Sequence, residues 1–179
     1  LSYDYQAALG EFGQIRESYS RLKSIHYFMQ SFGERLAPME TVLPEGASQI
    51  EPTDLQTLRF AVRTDGESGF LFVNNFQDHR MMPNRMQEQI NIRTAKKTYV
   101  FSFGIASEEN AILPFHFDMD GILLEQANAQ PVLRTVVNQR PTYVFMVVPG
   151  MDGTFRFEPE AIVTGSHESF TVRKENTQV

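Results

Sequence analysis

The residues best suited to chemistry stand at the very start of the chain, at Tyr3, Asp4 and Tyr5. A tyrosine ring stacks on the apolar face of a pyranose while its hydroxyl reaches the sugar's polar edge. On an extended strand the alternation points Tyr3 and Tyr5 to one side and Asp4 to the other. The pattern suits sugar contact, and core packing is the plainer role that competes with it.

Other chemistry is thin. His26, His79, His116 and His167 lie far apart, with no second histidine at metal-ligand spacing, so each reads as a packing or surface residue. Asp118 and Asp120 could hold a hard cation, yet Asp120-Gly121 between two apolar runs is first a hairpin turn. Glu108-Glu109-Asn110 reads as a solvated turn. Gly-rich phosphate loops, a nucleophile elbow and the His-Glu-x-x-His metal motif are missing. We therefore expect no catalytic residue, no metal ligand and no cofactor in this stretch of sequence.

Composition narrows the function classes further. Sixteen basic and 22 acidic residues leave a net charge of −6, which argues against general nucleic-acid binding. No apolar run approaches the length of a membrane span. With no cysteine, disulfides, zinc–thiolate sites and thiol catalysis are excluded from the chain. That fits a cytoplasmic protein and an exported bacterial one equally, so localisation stays open. Leu1 where an initiator Met would stand reads as a trimmed start, with room for a lost leader.

The elements that must position these residues divide the chain into two unlike parts. Ile15, Tyr19, Leu22, Ile25, Met29, Phe32 and Leu36 recur at three- and four-residue steps, which predicts one amphipathic helix over 12–37 packed by that stripe on a core. His26 lies beside the stripe and is expected to be partly buried. Pro38, Pro44, Gly46 and Pro52 punctuate an aperiodic stretch over 38–56, read as a linker. From residue 57 the pattern shortens to strands. Leu58, Phe60 and Val62 alternate with Arg59 and Arg63, and Asp65 to Gly69 forms a hairpin turn. Phe70 to Val73 is apolar on both faces, as in a central strand. Further strands are expected over 89–93, 98–103, 111–119, 121–129, 132–137 and 142–148, near Phe155 and Phe157, and over 169–173. Such spacing predicts an antiparallel β-sandwich or barrel over 57–179. Phe70, Phe72, Phe115 and Phe117 belong to its core. The loop over 75–86 is long and polar enough to reach towards a neighbouring domain, although an ordinary surface loop is the simpler reading.

The segment from Ser2 to Gly33 resembles the end of the catalytic barrel in family 35 glycoside hydrolases, the retaining β-galactosidases. That family carries a Ser-Tyr-Asp-Tyr-Asp-Ala-Pro-like stretch on its eighth barrel strand; here Gln6 and Ala8 replace the usual Asp and Pro. The stretches from Leu58 to Pro83, Ile112 to Arg134 and Tyr143 to Gly150 are similar to later strands of the same family, in the same order. The resemblance implies a mainly β chain, an antiparallel β-sandwich preceded by a long helix from the end of a (β/α)8 barrel. It implies that residues 1–37 are the last strand and helix of that barrel and residues 57–179 an accessory domain. Tyr3 and Tyr5 would contact the galactose, with Asp4 a structural residue near the site. The two catalytic Glu residues would lie on earlier barrel strands, in the missing barrel domain that is this chain's expected partner. A β-galactoside is the implied substrate; nucleic acid and membrane are not expected partners, and a homo-oligomer is possible. The competing reading is a non-catalytic β-sandwich module for carbohydrate binding or assembly.

Overall fold

The computed structural model describes residues 5, 7–159 and 161. Tyr3, Asp4, His167 and the strand expected over 169–173 lie outside the described residues.

Strict alternation builds the first pair of strands. In β5 (Thr98–Ile105), Tyr99, Phe101, Phe103 and Ile105 are buried while Val100 and Ser102 face out. This is the period-two signature of a strand covered on one face. It pairs antiparallel with β4 (Arg85–Arg93), whose Ile90 and Ile92 share the buried face. The main sheet has six strands in the order β1-β2-β3-β6-β7-β10. These are β1 (Glu40–Val42), β2 (Arg59–Thr64), β3 (Gly69–Asn74), β6 (Asn110–Asp118), β7 (Leu123–Ala127) and β10 (Phe155–Phe157), with antiparallel pairing between all neighbours. β3 lies inside the sheet, as its two apolar faces predict. Leu71 and Val73 enter one core with the β4–β5 residues; Phe70 and Phe72 enter a second core on the opposite face.

That second core is roofed by helix α1 (Glu17–Leu36) and by the hairpin of β8 (Gln130–Val137) and β9 (Arg140–Met146). Phe28 stands edge-on to Phe70 at 5.4 Å, and Phe32 meets Phe117 at 5.4 Å and stacks on Tyr143 at 6.4 Å. Such edge and stacked pairs each add about 0.5–1.5 kcal/mol beyond the area they bury. The end of the helix is bolted down as well. Arg63 donates to the carbonyls of Leu36 and Met39, and Arg35 donates to the carbonyl of Asp118 at 2.7 Å.

Phe115 and Phe117 are both core residues, as expected, but they serve different cores. Two residues apart on a regular strand, they would share a face. His116 between them has φ 47°, and this left-handed residue turns Phe117 to the other layer. The strand expected over 121–129 begins only at Leu123, because Asp120 (φ 55°) and Gly121 (φ 93°) form the tight turn between β6 and β7. Two left-handed central residues match the twist of a hairpin. The stretch over 38–56 holds β1, paired to β2, and a short 3-10 helix at Ala47–Gln49.

The predicted helix needs two corrections. It starts at Glu17 rather than near residue 12, because Gly13 adopts φ 79° and the chain before it folds as a turn. Its apolar stripe faces its own core only at one end. Phe28, Phe32 and Leu36 are buried, whereas Leu22, Ile25 and Met29 are 45%, 43% and 50% exposed. His26, expected beside a buried stripe, is exposed.

Candidate functional site

The expected site residue that can be placed is Tyr5. It stands in a turn at φ 40° rather than on the extended strand expected for it, and its side chain is 84% exposed. For a bulky residue a positive φ is strained, and such strain concentrates at functional sites.

A compact turn follows. Gly10 N–H donates to the Gln14 carbonyl at 2.9 Å, Gly13 N–H to the Gly10 carbonyl at 2.9 Å and Arg16 N–H to the Ala8 carbonyl at 3.1 Å. The Gln14 side-chain oxygen accepts from Phe12 N–H, and the Arg16 guanidinium donates to the Ala7 carbonyl at 2.8 Å. Backbone and amide groups satisfy one another here, so the turn holds its shape locally. It presents Leu9, Phe12 and Ile15 outward at 52%, 84% and 69% exposure. The sequence pattern assigned Phe12 and Ile15 to the helix; Gly10 and Gly13 are the signals that place them in a turn.

From this turn α1 runs with little support. Arg16 occupies the N-cap position without a side-chain cap, and no residue from Glu17 to Tyr27 is buried. Local pairs remain, such as Glu17 with Arg21 at 3.6 Å and Lys23 over the Tyr27 ring. A helical segment this short is marginal in water without tertiary packing.

The loop after β3 is the second candidate region. Its base is clamped. The fully buried Asn75 amide donates to the carbonyls of Pro83 (3.0 Å) and Ala106 (2.8 Å), and its oxygen accepts from Arg85 Nε at 2.9 Å. Arg85 also donates to the carbonyls of Leu55 and Gln56 and to Glu88. Met82 is buried and its N–H donates to Glu108. Between these anchors Phe76, His79 and Met81 are exposed, with His79 at φ 59° and 3.4 Å from Asp78. Nothing in the sequence pattern marked the buried Asn75–Arg85 node.

The remaining candidates carry no site geometry. Asp118 accepts from Gly121 N–H at 2.7 Å, and Asp120 accepts both Arg134 guanidinium bonds and the Tyr143 hydroxyl at 2.8 Å. Asp118 thus closes the β6–β7 turn on itself, and Asp120 fixes that turn to β8 and β9. The Arg134 hydrogen bonds, with the Tyr143 hydroxyl second, hold the Asp120 carboxyl below its usual range; burial, then the bond to Asp120, raise Tyr143. Among the described residues no group of three or more His, Asp or Glu is arranged to hold a metal. A cleft of about 260 Å³ opens between Arg35, Pro38, Asp65 and Phe117. Its two rings, Phe70 and Phe117, are 1% and 3% exposed and offer no face to a sugar. Burial raises Asp65, but bonds from Ser68 and Glu67 outweigh it and hold the carboxyl down. A second cleft, of about 370 Å³, lies beside Pro44, Gln49 and Asp54. The Asp54 carboxylate already accepts from the N–H groups of Gln56 and Thr57.

The described residues thus form a two-core β-body with an N-terminal element that is little buried before Phe28. That element is an exposed turn and half a helix, apolar on one side. Among the described residues no helix is long and apolar enough to cross a membrane. No protein-family model matches the chain, and no curated protein matches it.

Proposed function

We propose that this chain is the C-terminal portion of a β-galactosidase that hydrolyses terminal β-linked galactose with retention. Residues 1–37 close a catalytic barrel, Tyr3 and Tyr5 line its galactose pocket, Asp4 anchors them, and the β-body buttresses the barrel from outside. The acid and the nucleophile, a Glu pair about 5–5.5 Å apart in retaining enzymes, belong to the preceding barrel strands. The reading rests on the Ser-Tyr-Asp-Tyr resemblance. The observation that carries it is the uncovered apolar side of α1, Leu22, Ile25 and Met29. Contiguous exposed apolar surface marks an interaction site. A barrel helix needs such a side, because it must cover the strand layer beneath it.

The complete gene product is expected to cleave a chromogenic β-galactoside with retention, and this 179-residue chain alone is expected to leave it intact. Enzyme-like turnover by the chain alone, or none by the complete product, overturns the proposal. In the latter case an assembly module, its helix covered by a second copy, becomes the better account.

A further inference from the structure

Phe12 differs from the other exposed apolar residues. Leu22, Ile25 and Met29 form one side of a helix and need a flat partner, whereas Phe12 stands in the turn whose ends Leu9 and Ile15 bridge. Its ring is 84% exposed, and its own N–H is held by the Gln14 side chain at 3.1 Å. The bonds of Gly10 with Gln14, Gly13 with Gly10 and Arg16 with Ala8 fix the turn without help from any covering surface. A ring displayed on a pre-formed turn loses little entropy when it binds.

We infer that Phe12 is a specificity-determining residue, a platform for the ring of the leaving group in β-galactosides whose aglycone is a sugar or an aryl group. This rests on the proposed function: Tyr5 would end the eighth barrel strand and α1 would be the following helix, so residues 7–16 would be the connecting βα loop. Barrel active sites are built from those loops, at the carboxyl ends of the strands. Tyr3 and Tyr5, on the strand, would meet the galactose; Phe12, further along the loop, meets what is attached to it. The face of a six-membered ring against an aromatic ring supplies the contact.

The test uses the complete enzyme with two substrates, methyl β-galactoside and 4-nitrophenyl β-galactoside, whose galactose is the same. Phe12→Ala should raise KM for the aryl substrate about three- to tenfold, the range ring stacking supports, and leave methyl galactoside hydrolysis unchanged. Phe12→Tyr should restore the aryl KM, and Phe12→Leu should lie between. Equal losses on both substrates, or none on either, overturn the inference while leaving the proposed activity intact. If Phe12→Ala fails to fold, Phe12→Leu gives the same comparison, and a loss that does not distinguish the substrates overturns the inference there too. A wild-type enzyme inactive on both substrates overturns the proposed function first, and this inference with it.

Discussion

The two halves of α1 share one sequence pattern and meet opposite surroundings. From Phe28 onward the helix is locked into a five-ring cluster with Phe70, Phe117 and Tyr143, and Arg63 donates to the carbonyl of its last residue, Leu36. From Glu17 to Tyr27 nothing of it is buried, although Leu22 and Ile25 continue the apolar repeat. Hydrophobic periodicity therefore states that a side must be covered and is silent on what covers it. The same β-body that completes one half of the helix leaves the other half uncovered.

The contrast can be broken most directly by truncation. Phe115→Ala, at a fully buried position, should lower the stability of the chain by about 3–5 kcal/mol, read as a shift in denaturant midpoint. Ile25→Ala in the same chain should change it by about 0.5 kcal/mol or less, as at ordinary surface sites. In the longer protein proposed above, Ile25→Ala should cost clearly more. Comparable losses at Ile25 and Phe115 in the isolated chain would show that the helix is already covered.

A smaller effect sharpens the account of the β-body. Asp120 ties the β6–β7 turn to Arg134 and Tyr143, and those bonds depress its folded-state carboxyl below the ordinary 3.8. A depressed carboxyl contributes stability that is complete above its unfolded value and is lost as pH falls through the folded one. The chain should therefore lose part of its stability below about pH 4. Asp120→Asn should be less stable than wild type at pH 6 and should approach it at pH 3, in urea titrations at both values. An identical difference at the two pH values would mean that the carboxylate charge is not what holds the turn.

Much of the β-body was legible in the sequence. The alternation of Tyr99, Phe101 and Phe103, the turn at Asp65 to Gly69 and the doubly apolar Phe70 to Val73 each name a local conformation with a physical cause. What stayed hidden depends on contacts distant in sequence. Gln126 and Asn128 donate side-chain amides to the Val100 and Ser102 carbonyls, closing a seam between β5 and the main sheet. Asn75 and Arg85 form their node only because Leu55, Gln56 and Ala106 bring carbonyls to them. Polar residues reveal no periodicity, so such closures cannot be read from spacing. In the candidate site, Tyr5 was marked by its type and its resemblance. Phe12 was absorbed into the helix, because an apolar repeat outweighed Gly10 and Gly13.

Amide hydrogen exchange over Glu17–Tyr27 addresses the central claim, that this uncovered half-helix is an interface. Compared between the 179-residue chain and the complete gene product, these amides should exchange rapidly in the chain, while those after Phe28 stay protected. In the complete protein both halves should be protected. Equal protection of Glu17–Tyr27 in the two samples would contradict the account.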